Sequence, residues 1–162
     1  MKKTAGVVLA IAIILIIIGV SRNSNTASNN VIKIGAIQPL TGGTVSSYGE
    51  FGRRGFELAL ADLNALENES KIDLTVEDSQ GQPKLGVAAI NKLITENNRF
   101  ILGDQVSGVT LSVAPIAEQN KVLLIAPGSA TPKLTEAGDY VFRTKVSAVV
   151  ESKEATAYIA DT

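Results

Sequence analysis

Histidine, cysteine and tryptophan are all missing from this 162-residue chain. Without histidine there is no Ser-His-Asp or Cys-His arrangement, and without cysteine there is no thiol nucleophile, disulfide or lipid-modified cysteine. Losing both removes the usual zinc ligand sets, so no metal and no cofactor is expected. Aromatic residues make up 4% of the sequence, too few for a platform on which nucleic-acid bases could stack. A formal net charge of −1 offers no basic surface for a nucleic acid either.

Charge is absent over one stretch in particular. Met1-Lys2-Lys3 is followed by TAGVVLAIAIILIIIGVS, which runs from Thr4 to Ser21 without an ionisable side chain, and then by Arg22. A basic start before an apolar run is the pattern of a secretion signal, but this run exceeds the ~7–15 residues of a usual signal core. It reaches the lower edge of the ~17–25 residues that span a bilayer. Gly19 and Ser21 are small enough to precede a cut before Arg22, although no A-x-A triplet occurs. Residues 1–22 are therefore read as a signal peptide or an N-terminal membrane anchor, and the chain as exported, to the periplasm or the cell surface. The aperiodic polar stretch 23–30, NSNTASNN, reads as a linker.

From Val31 onward strand-like and helix-like pieces alternate. VIKIGAI is a short β-rich run, and Phe56, Ala59, Leu60 and Leu63 then recur at the spacing of one buried helix face. Ile72, Leu74 and Val76 alternate with polar residues, as in a strand with one wetter side. Pro83 suits the first turn of a helix whose apolar stripe is Ala89, Ile90, Leu93 and Ile94. Phe100 to Leu102 predicts another strand, and a helix follows from Ser107. The nearly continuous apolar run Val122 to Ala126 predicts a buried strand of the kind found in parallel sheets covered on both faces. Tyr140 to Phe142 gives a last strand, and VVESKEATAYI a last helix with no strand after it to bury it. The order implies a parallel α/β sheet, in which ligands sit outside the carboxyl ends of the strands.

Three loops fall at those ends, Gln38 to Gly49, Asp104 to Val109 and Pro127 to Lys133, and each is rich in Gly, Ser and Thr. Ser107 and Gly108 stand where a helix start carries partial positive charge and unpaired amides. Two readings stay open for Ser107. Its hydroxyl caps the helix by accepting a nearby amide, or it joins those amides in receiving a carboxylate or other anion. IAPGSATPKLT displays the amides of Gly128, Ser129, Ala130 and Thr131 and two hydroxyls with little bulk, as an ordinary turn or as the second half of an anion clamp. Tyr48, at a loop crest, either covers the sheet edge or walls an apolar pocket.

Gly49, Gly52 and Gly55 follow a strand and precede a helix, and Glu77-Asp78 ends the next strand, where a nucleotide-binding fold keeps its ribose-binding acid. The spacing is G-x-x-G-x-x-G, however, and the loop is too long for the tight turn onto a pyrophosphate. A nucleotide-dependent α/β enzyme is thus the weakest alternative. The acids have no histidine partner and no evident nucleophile, so the chain is read as a non-enzyme.

IKIGAIQPLTGGTVSSYGEFGRRGFELALADLNA, IDLTVEDSQGQPKLGVAAINKLI and ILGDQVSGVTLSVAPIAEQNKVLLIAPGSATPKLTEAGDYVFRT together resemble, in order and spacing, the branched-chain amino acid-binding (leucine-binding) family of type I periplasmic solute-binding proteins. The resemblance implies a three-layer α/β lobe with a parallel sheet, behind an N-terminal hydrophobic segment. It also implies a small amino-acid-like ligand and an ABC transporter permease as partner. A sensory ectodomain of the same fold, held to the membrane by an uncleaved N-terminal segment, is the alternative. By the resemblance, Ser107 with Gly108 and the Ser129-Ala130-Thr131 loop grip the ligand's carboxylate, and Tyr48 lies against its side chain. Asp104-Gln105 departs from the family's more usual uncharged pair, Ala130 stands where its best-known members carry the ligand-binding threonine, and Ala148 replaces a common Asp. The family frame divides the chain into a first lobe over 31–146 and a hinge exit with the first helix of an absent second lobe over 147–162. On that reading the chain is the first half of a larger protein.

Overall fold

The computed structural model describes residues 30–66 and 70–161. The sequence readings for residues 1–22 and for nearly all of the linker lie outside the described residues. Along the rest, β1 (Asn30–Gln38) leads through a one-turn 3-10 helix (Gly43–Val45) into α1 (Ser46–Ala65), and β2 (Ser70–Asp78) follows. Then come α2 (Pro83–Thr95), β3 (Phe100–Leu102), α3 (Ser107–Asn120) and β4 (Leu123–Ala126). A 3-10 turn (Pro132–Glu136), β5 (Val141–Arg143) and α4 (Ala148–Ala160) complete the described chain.

The strands form one sheet in the order β2-β1-β3-β4-β5, and β1–β3, β3–β4 and β4–β5 pair in parallel as the alternation of pieces implies. The order reverses at β1, so the crevice between the loops after β1 and β3 is the topological switch point where such sheets hold ligands. Register places Gly35 beside Ile101, Ile101 beside Leu124 and Leu124 beside Val141. Successive strand residues point to opposite faces, so these residues share one side. Ala89, Ile90 and Leu93 of α2 and Val109, Val113 and Ala117 of α3 pack onto that side, and all are buried. Leu93 lies directly over Gly35, whose missing side chain makes room: a Cβ there would come within 2.8 Å of Leu93 Cδ1.

The other side is covered only in part by the described residues. Phe100, beside Ile34 and Leu123, is 47% exposed, and Phe142, beside Ile125, is 54% exposed. Helix α1 crosses only the β2–β1 flank. Its predicted buried stripe is half-open: Phe56 and Leu60 are half-buried, Ala59 and Leu63 exposed. Between this stripe and Ile34, Ile72, Leu74 and Leu102 lies an apolar space of about 130 Å³. Periodicity correctly reports which residues face the sheet, but whether the flank closes depends on neighbours, and no described element lies beside α1 over β3 to β5.

Helix α4 has no buried residue, and Val149, Tyr158 and Ile159 are all exposed. Among the described residues no helix is long and apolar enough to cross a membrane.

Candidate functional site

The loops after β1, β2, β3 and β4 gather on one rim and are tied together by polar side chains. Asp78, at the end of β2, accepts hydrogen bonds from the amides of Leu40 (2.9 Å), Thr41 (3.3 Å) and Gln80 (2.8 Å) and from the Thr41 hydroxyl (2.6 Å). Burial alone would push its pKa up, but these donors overcome that and hold the carboxyl below its ordinary value. Glu77 receives the Lys92 ammonium at 2.6 Å. The acids that mimic a ribose site are therefore committed to holding loops and a helix. The glycines are explained the same way. A Cβ at Gly49 would overlap the Pro39 carbonyl and one at Gly52 the Gln38 side chain, while Gly55 meets nothing. Gly49 and Gly52 let α1 approach the end of β1.

Helix α3 starts at Ser107 as expected, but Ser107 does not cap it. Val106 occupies the cap position without a side-chain cap bond, and its own amide donates to Asp104 Oδ1 at 2.7 Å. Asp104 Oδ2 accepts a hydrogen bond from the Ser79 hydroxyl. Asp104 is fully buried, and this desolvation raises its pKa against the lowering effect of Ser79 and Val106, with the nearby charge of Asp78 adding to the rise.

Freed from capping, the Ser107 hydroxyl oxygen accepts a hydrogen bond from the Ser129 hydroxyl at 3.1 Å. The two loops flagged in the sequence thus meet side chain to side chain. Ser129 is fully buried and Ser107 half-buried. In this hydroxyl pair one proton is engaged and the other remains available to a ligand, and the chained hydroxyls polarise one another. The Ser129 loop is anchored from behind. The Ala130 carbonyl accepts the Ala148 amide at 2.9 Å, and the Thr131 carbonyl accepts an Arg143 guanidinium N–H at 2.7 Å. Gly108 is not drawn into this cluster. It is exposed, and a Cβ on it would approach only Pro83, at 4.0 Å.

Beside the serine pair an open cleft of about 450 Å³ is walled by Tyr48, Gln105, Val106, Gly128 and Lys145 among others. Tyr48, 63% exposed, is one of the residues that line it. The serines do not line this cleft; they adjoin two of its walls, Val106 and Gly128, along the chain. Gln105 and Lys145 were not among the site residues expected from sequence, and neither was Gln38, which is buried beneath them. The polar Gln38 closing the apolar strand IKIGAI was the available signal. Among the described residues no cluster of acidic side chains is arranged to hold a metal ion.

Residues 31–162 match the family described as "Periplasmic binding protein". A Leu/Ile/Val-binding protein of Rhizobium johnstonii is 37% identical over 109 residues, which is 66% of this chain and 29% of that protein. A solute-binding protein of an ABC transporter from Rhodopseudomonas palustris, solved with 3,4-dihydroxybenzoic acid, superposes with a TM-score of 0.67 at 27% identity, over 72% of this chain and 32% of the other. The branched-chain amino acid transporter substrate-binding protein of Streptococcus pneumoniae, solved with isoleucine, gives a TM-score of 0.69 at 25% identity, over 73% and 34%. The chain thus spans about a third of the length of the proteins it matches. With the strand order, the rim of loops and the match from residue 31 onward in agreement, this chain belongs to the periplasmic binding protein family, and its α/β unit is a lobe of the type I fold.

Proposed function

We propose that this chain is part of an exported solute-binding protein that delivers a small amino-acid-like carboxylate, such as a branched-chain amino acid, to the permease of an ABC importer. The observation that carries this reading is the Ser129–Ser107 hydroxyl pair at the start of α3. It brings a hydroxyl pair to the start of α3, where partial positive charge and unpaired amides favour a carboxylate. The two solved relatives bind isoleucine and dihydroxybenzoate, whose shared group is a carboxylate. In this reading residues 1–22 direct export, 23–30 tether, and 31–146 form the ligand-holding lobe. Residues 147–162 leave that lobe for a second one, which accounts for an α4 that buries nothing. The relatives' role as solute-binding proteins supports a binding protein without catalysis.

Isothermal titration calorimetry with amino acids, on the chain as it stands, tests the site. Weak carboxylate binding is expected, since one lobe leaves much of a ligand wet. It should fall about tenfold in Ser107→Ala through loss of a charge-assisted hydrogen bond; an unchanged affinity would remove Ser107 from the site. A sensory ectodomain is the second reading, favoured by the uncharged length from Thr4 to Ser21. N-terminal sequencing of the exported protein separates the two, because an intact Met1-Lys2 start means a retained anchor.

A further inference from the structure

Asp104 joins three elements of the rim. Its Oδ1 accepts the Val106 amide at 2.7 Å, its Oδ2 accepts the Ser79 hydroxyl, and its carbonyl accepts the Thr110 hydroxyl at 3.0 Å. Ser79 is tied to β1 in turn, since its amide donates to the Gln38 carbonyl at 3.0 Å. One side chain thus links the end of β2 to the start of α3. The residue it holds there, Val106, walls the cleft and immediately precedes Ser107. Asp104 is in this sense a positioning residue for the hydroxyl pair.

Its charge is the unusual part. Asp104 is fully buried, and both groups bonded to its carboxylate are neutral. Among the described residues no lysine or arginine forms an ion pair with it. The charged group that acts on it from β2 is Asp78, another anion. From β1 it meets Gln38, an uncharged amide engaged with the Gly103 carbonyl at 2.8 Å and with Gln105 Nε2 at 3.3 Å. From α3 it meets only Val106 and Thr110. Lys84, in the first turn of α2, is exposed, and Lys145, on the far wall of the cleft, is paired with Glu151 at 3.4 Å.

A ligand carboxylate held at the start of α3 lies one residue and two hydrogen bonds from this buried anion, roughly 8 Å away. The ligand's ammonium, one carbon further out, offsets the repulsion less. At that separation two like charges change affinity by about three- to tenfold after screening. Protonating Asp104 removes the repulsion and keeps the Val106 contact, because a neutral carboxyl oxygen still accepts.

We propose that carboxylate binding at the Ser107 site is coupled to protonation of Asp104, so that the site grips its ligand more tightly as pH falls and loosens it as pH rises. The coupling rests on the carboxylate reading above and names how that same site is regulated. Burial and the Asp78 charge both favour the neutral form of Asp104 and move its transition up from strongly acidic pH.

The test is an amide-resolved NMR titration of the full chain with L-isoleucine between about pH 4.5 and pH 7, where the ligand keeps its ionised carboxyl and its ammonium. Affinity, read from the amides of Ser107 to Val109, should rise about three- to tenfold from the upper to the lower pH. Asp104→Asn should bind at the upper pH as tightly as the wild type does at the lower one, with little dependence on pH. Ser79→Ala keeps the carboxyl and removes a donor that holds its pKa down, so it should move the rise to higher pH. A role confined to holding the loop would not produce that shift. If the wild type binds isoleucine equally well at both ends, or if Asp104→Asn keeps the wild-type pH dependence, the coupling is wrong and the carboxylate reading stands. If isoleucine shifts these amides at neither pH, both fall.

Discussion

On the side of the sheet covered by α2 and α3, Ile37, Ile90, Leu93 and Leu124 are fully withdrawn from water. On the opposite side Phe100 and Phe142 lie half in solvent, and α1 rests over an apolar space it does not fill. Both faces are written with the same kinds of residue. What differs is the number of described helices laid over them, two against one. The difference matters for the rim, because the serine pair belongs to elements of the dry face: Ser107 starts α3, and Ser129 follows β4. Tyr48 belongs to α1. The hydroxyl half of the candidate site is thus mounted on the buried face of the sheet and the aromatic half on its more open one, where local opening costs less.

The largest test of this asymmetry is Leu93→Ala. Leu93 fills the space over Gly35, and its loss should cost about 2–5 kcal/mol in urea unfolding, the range for a large core side chain that leaves a cavity. The matching change on the open face, Phe142→Ala, should cost about 1 kcal/mol or less, since roughly half of the side chain's burial is missing from the start. Equal losses would mean that the open face is covered in solution, and the comparison would break. The third change should act in the other direction. Ala59→Leu adds apolar volume beside the space between α1 and the sheet and should stabilise by about 0.5 kcal/mol, at the low end for cavity filling. A loss instead would show that α1 has no slack to fill.

How far the sequence carries follows the same division. The α2 stripe and the β4 run were legible because helix and strand periods directly encode which side chains turn inward. The α1 stripe was legible as a stripe but not as a half-open one, since closure depends on elements that local spacing does not describe. Ser107 and Ser129 could be picked out because small hydroxyl residues behind apolar strands stand out by themselves. Their meeting needed β3 and β4 to be neighbours. The Gln38–Gln105 bridge, between residues 67 positions apart, needed β1 beside β3, and no local pattern states that order. Ser107 was open to a capping role until Asp104 was seen to hold the Val106 amide. That is competition between two side chains for one helix start, and composition does not decide it.

The same competition gives the smallest effect, and it depends on pH. Burial raises the Asp104 pKa above its ordinary 3.8 in the folded chain. Between those two values the folded state binds the proton more readily than the unfolded state. Ionising Asp104 therefore costs stability as pH rises through that window, with the cost absent below the ordinary value and complete above the raised one. Asp104→Asn removes the titration and keeps the Val106 contact, while the Ser79 hydroxyl loses its acceptor, a cost that does not vary with pH. Denaturation of the two proteins from neutral pH down to about pH 4 should show the wild type gaining on the variant as pH falls. The difference reports Asp104 together with its coupling to the nearby charge of Asp78. A difference that stays flat, or runs the other way, would mean that Asp104 is hydrated in solution and that the dry face ends short of the rim.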